Sequence, residues 1–109
     1  MTDSEAVARL RALCGGPRDG ALLRMSLANA LIATGDRTAA IDELRRATAF
    51  DADYSAAWKL LGKALAESGD ASGAIAAYEK GIAAADKRGD KQAQKEMQVF
   101  LKRLQKPAA

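Results

Sequence analysis

Apolar residues recur along the chain at three- and four-residue intervals in six separate stretches, the spacing of helices with one inward side. In the first, Ala6, Val7, Leu10, Leu13 and Cys14 share a face. Gly15, Gly16 and Pro17 close it, since glycine accepts a tight turn and proline cannot continue the hydrogen-bond ladder. A second helix is predicted from about Asp19 or Gly20 to Ala33, with Leu23, Leu27, Ala30 and Leu31 inward. Gly35 then supplies a C-terminal turn and Asp36 a cap for a third helix, about Arg37 to Ala49, which buries Ala40, Ile41, Leu44 and Ala47. After Asp51, Ala52 and Asp53 the pattern restarts, with Asp53 or Ser55 as the expected cap. Ala57, Trp58, Leu61, Ala64 and Leu65 line a fourth helix, Gly69 and Asp70 repeat the turn, and Ala74, Ile75, Tyr78 and Ile82 mark a fifth. The sixth begins at Asp90 with Ala93, Met97, Phe100, Leu101 and Leu104 on one side and Lys91, Lys95, Gln98, Lys102 and Gln105 on the other. Such a helix covers an exposed hairpin and shows charge to water.

Residues 21–54 and 55–88 superimpose without a gap at a spacing of 34 residues. Leu27 falls on Leu61, Ala30 on Ala64, Leu31 on Leu65, Gly35 on Gly69, Asp36 on Asp70, Ala40 on Ala74 and Ile41 on Ile75. The matched positions are an apolar stripe, a turn and a small-then-branched pair, the parts of a helical hairpin that must recur if copies are to stack.

In the second copy Trp58, Leu61, Gly62 and Leu65, followed by Ala74, Tyr78 and Gly81, resemble the tetratricopeptide repeat signature, with Leu65 in place of its Tyr, Tyr78 of its Phe and Asp86 of its Pro. The first copy is similar with more departures: Arg24 at the Trp place, then Leu27, Ala28, Leu31, Ala40, Leu44, Ala47, and Ala52 at the Pro place. The resemblance implies an all-α superhelix of antiparallel helical hairpins, about six helices in one domain. Its parts would be an N-terminal capping helix in 1–16, repeats over 21–54 and 55–88, and a C-terminal capping helix in 89–106. Ala28, Gly62, Ala40 and Ala74 would let paired helices approach closely. Trp58 would sit in the core, and the turns holding Ala52 and Asp86 would be less restricted than proline makes them.

Composition narrows the chemistry. Of 109 residues 49% are hydrophobic but only 5% aromatic, so the core is built from Ala, Leu and Ile, and the two prolines, Pro17 and Pro107, lie near the ends. There is no His, no Gly-rich phosphate loop and no Cys cluster; Asp42 with Glu43, and Asp51 with Asp53, are read as helix-surface or turn acids. No enzyme activity, metal or cofactor is therefore expected. Cys14 is alone and reads as filler at a helix end. The acidic N-terminus lacks the layout of a secretory signal and no run of apolar residues reaches membrane-spanning length, so a soluble cytoplasmic protein is expected. Residues 87–109 carry net charge +5 and the remainder −2.

The resemblance further implies a concave groove lined by the first helix of each hairpin, where an extended peptide or protein segment is held. Carried onto this chain, the groove takes Leu22, Met25, Ser26, Asn29 and Ala33 from one copy, and Ala56, Lys59, Leu60, Lys63 and Glu67 from the other. Gln94 and Met97 would close one end. Asn29 coincides with an asparagine that grips terminal carboxylates in some members, but Met25 and Leu60 stand where the rest of that clamp would be. Lys59 and Lys63, one turn apart, suit an acidic peptide, or are plain surface lysines with Lys63 paired to Glu67. Leu22, Met25 and Ile32 make a second apolar stripe on their helix, which must meet something besides its hairpin partner. The expected function is a non-catalytic protein-interaction adapter. A homo-oligomer or assembly subunit, and a nucleic-acid binder using the basic last helix, are the alternatives.

Overall fold

The computed structural model describes residues 1–106, which form six α-helices and, among the described residues, no strand; Pro107 lies outside them. The helices divide between two compact units, Met1–Asp51 and a second that begins at Ala52.

The first unit holds α1 (Asp3–Leu13), α2 (Ala21–Ala33) and α3 (Arg37–Phe50). A capping box starts α1: the Thr2 hydroxyl accepts the Glu5 amide while the Glu5 carboxylate accepts the Thr2 amide. Cys14 caps its end, half-buried, with Sγ 3.6 Å from the Leu10 carbonyl oxygen. No residue of α1 is fully buried, and Leu13, expected inward, is 40% exposed. The core of the unit is instead the α2–α3 hairpin, where Leu27, Ala28 and Leu31 meet Ala40, Leu44 and Ala47. Each fully buried leucine contributes roughly 1.5–3 kcal/mol.

The second unit holds α4 (Ser55–Glu67), α5 (Ala71–Arg88) and α6 (Lys91–Gln105). Gly35 and Gly69 both sit at positive φ, and the Asp that follows each accepts the amide three residues on, Asp36 from Ala39 and Asp70 from Gly73. The same joint recurs at Gly89 and Asp90, whose carboxylate accepts the Ala93 amide. Gly62 gives room to a ring rather than to a backbone: a Cβ there would lie 2.6 Å from the Tyr78 ring. Tyr78 in turn packs on Phe100, centroids 5.6 Å apart.

Three expectations are corrected here. Neither Asp53 nor Ser55 caps α4; Tyr54 holds that position, and the Asp53 carboxylate instead accepts the Lys87 ammonium at 2.8 Å, a charged partner in place of an amide. Asp86 is not in a turn but inside α5, which has 18 residues against the 14 of α3. The longer α5 moves α6 two residues out of the 34-residue register. Ala57, Leu61, Ala64 and Leu65 of α4 therefore correspond to Ala93, Met97, Phe100 and Leu101, an offset of 36. Trp58, expected in the core, is half-buried, its Nε1–H donating to the Ala52 carbonyl at 2.8 Å.

Candidate functional site

Helix α2 is apolar on two sides, and its hairpin uses only one. Leu22, Met25, Ser26, Asn29 and Ala33 lie on the side away from Leu27, as the 100° step per residue requires. Leu22 is 72% exposed, Ile32 flanks the patch, and Asn29 turns its amide back to donate to the Met25 carbonyl at 3.2 Å. The patch has no charged side chain, so what it offers is apolar area, the Asn29 amide and the Ser26 hydroxyl.

On α4 the corresponding side carries Ala56, Lys59, Leu60, Lys63 and Glu67. Lys59 is engaged within the unit: its ammonium donates to Glu96 of α6 at 3.0 Å, both side chains remaining more than a third exposed. A cavity of about 230 Å³ opens beside this pair, lined by Ser55, Ala56, Lys59, Asp90, Gln92, Ala93 and Glu96. On α6 the positions on the Glu96 flank are Gln92, Val99 and Arg103, spaced i, i+4, i+7 and i+11 with it, and Val99 is 48% exposed.

The offset of 36 changes which α6 residues can serve. Met97, expected to close the groove, is 0% exposed and packs where a Cβ on Gly81 would fall. Gln94 is two positions from Glu96, about 200° around the helix, and so lies on the opposite flank. Gln92, Val99 and Arg103 share the Glu96 flank instead and are exposed.

A second arrangement escaped sequence reasoning. Arg24, at the place Trp58 holds in the other copy, donates from Nε and Nη2 to Asp19 at 2.9 and 2.8 Å and from Nη1 to Glu43 at 2.8 Å. Asp19 also accepts the Gly15 amide, and Glu43 accepts Arg46. The Arg24 hydrogen bonds, then that from Gly15, hold the Asp19 carboxyl at a pKa of about 2. Asp19, then Glu43, push the guanidinium pKa up. The available signal was a charged residue on an otherwise apolar helical stripe, with acids on both sides of it in sequence.

In the second unit Trp58 borders a cavity of about 340 Å³ with Ala52, Asp53, Lys80, Ala83, Ala84 and Lys87. Burial, then the charge of Glu67, raises the Tyr78 pKa. No group of three or more His, Cys, Asp or Glu could hold a metal among the described residues. What these surfaces offer is packing and ion pairing.

The chain's residues 21–64 match the family model described as tetratricopeptide repeat. A TPR repeat-containing protein of Pseudomonas aeruginosa is 50% identical over 86 residues, covering 79% of this chain and 82% of the relative. The solution structure of protein BPP2914 from Bordetella parapertussis is similar at 47% identity and TM-score 0.74, covering 90% of this chain and 85% of that one. The crystal structure of PcrH in complex with the chaperone binding region of PopD has TM-score 0.86 at 15% identity, covering 94% and 78%, a likeness of fold alone. The fold is thus an all-α one of helical hairpins, shared with these structures.

Proposed function

The chain belongs to the tetratricopeptide repeat family, generally a non-catalytic protein-interaction fold, and from that premise we propose that it is an adapter holding a peptide or protein segment on the exposed side of α2. The observation that carries this reading is the α2 patch. Leu22 stands 72% exposed beside half-buried Met25, on the side of the helix that its hairpin does not use. Helix α1 also packs on α2 yet leaves Leu22 and Ile32 exposed; an apolar patch left in water costs solubility, and methionine adapts to varied shapes. A chain of the same fold, PcrH, was crystallised with a segment of another protein. In the second unit the exposed side of α4 offers Lys63 as a cation that an acidic segment could meet, while Lys59 pairs with Glu96.

We divide the chain into repeats at 21–54 and 55–88 with a helix at either end, and place it in the cytoplasm. No helix among the described residues is long and apolar enough to cross a membrane. The test is affinity capture from the native cell with wild type and with a Met25→Glu, Lys63→Glu variant whose thermal unfolding is unchanged. Loss of the captured protein from the variant is expected, and equal recovery would overturn the reading. The same patch could instead serve self-association. Light scattering showing a dimer that Leu22→Glu dissociates would favour that second reading.

A further inference from the structure

The indole of Trp58 is half-buried and held in one plane by the 2.8 Å hydrogen bond from Nε1 to the Ala52 carbonyl. Beside it lies the 340 Å³ cavity, walled by the ring and by Ala52, Ala83 and Ala84 and rimmed by Lys80, Lys87 and Asp53. The Lys80 ammonium sits 5.3 Å from the ring centroid. Lys87 is drawn to Asp53, in a pair whose side chains are 70% and 38% exposed and so bind each other weakly. In the first unit Arg24 stands at the equivalent position, its guanidinium spent on Asp19 and Glu43.

We propose that the notch beside Trp58 is a docking point for a partner segment carrying an apolar side chain flanked by carboxylates. The apolar walls and the aromatic plane suit the side chain. The rim supplies the charge: Lys80 has an aromatic face rather than a carboxylate beneath it, and Lys87 can exchange one exposed carboxylate for another. Cations bordering an apolar floor select acids on either side of an apolar anchor and repel basic segments. The site is distinct from the α4 side that carries Lys63, because Trp58 lies five residues earlier and so about 140° around the helix.

Trp58 is the chain's one tryptophan, so its fluorescence reads the notch directly. The full chain would be titrated with a terminally blocked peptide of four glutamates around one leucine, and with the versions that replace the glutamates by lysine or the leucine by serine. A saturable blue shift with the first peptide alone is expected, because the leucine displaces water from the indole. Lys80→Glu should weaken it at least tenfold, while Lys95→Glu on the exposed face of α6 leaves it unchanged. No saturable shift, an equal response to either control peptide, or a response lost with Lys95→Glu but not with Lys80→Glu would overturn the proposal.

Discussion

Arg24 and Trp58 occupy the same repeat position and solve the same packing problem with opposite chemistry. Arg24 bridges two carboxylates that are nearly buried with it, so removing the cation alone strands both acids. Arg24→Met should therefore lower the melting temperature by several degrees, and Glu43→Leu added to it should restore part of the loss. A larger loss in the double variant would contradict the clasp. The pH dependence follows from Asp19: its carboxyl lies near 2 in the fold against an ordinary 3.8. The stability it contributes is complete above about 4 and drains away as pH falls toward 2. Asp19→Asn should flatten that part of the denaturation midpoint against pH, measured from pH 5 to 2. Trp58→Ala should cost less than the about 3–5 kcal/mol of a fully enclosed tryptophan, since one side of the ring is open. The positions of Leu27, Leu44 and Leu61 were legible from helical spacing alone. The Arg24 clasp was not, because Glu43 is 19 residues away and only the fold brings it to the guanidinium.

At the scale of elements, the Gly-Asp joints were readable because each pairs a residue that tolerates positive φ with one that caps the next helix. The length of α5 was not readable. Nothing in the apolar spacing stops that helix at the family's proline place, so it continues through Asp86 to Gly89 and carries α6 into a register of 36. This is why Met97 is buried and Gln94 lies off the α6 flank that carries Gln92, Glu96 and Val99. The register has a direct check: Asp86→Pro restores the family residue, yet inside a helix it should cost about 3 kcal/mol or more in chemical denaturation. A neutral or stabilising effect would show that α5 ends earlier. Gly89→Val, at φ +72°, should cost roughly 1–2 kcal/mol, and Asp90→Ala about 1 kcal/mol. Gly81→Leu should overpack Met97 by about 1–3 kcal/mol.

For the whole molecule, the family and the helical architecture were legible because a 34-residue period leaves few alternatives, and the 50% identical relative places the chain in that family. Of the proposed binding surface, the exposed face of α2 followed from helical geometry, whereas the engagement of Lys59 by Glu96 needed coordinates. On the proposed reading, α2 turns an apolar side outward for a protein segment. A photo-crosslinking amino acid placed at Leu22 in the native cell tests this most directly, with the same group at exposed Arg45 of α3 as the reference. A discrete adduct from position 22, absent from position 45 and suppressed by Met25→Glu, is the expected result. Equal adducts from both positions, or none from position 22, would contradict it.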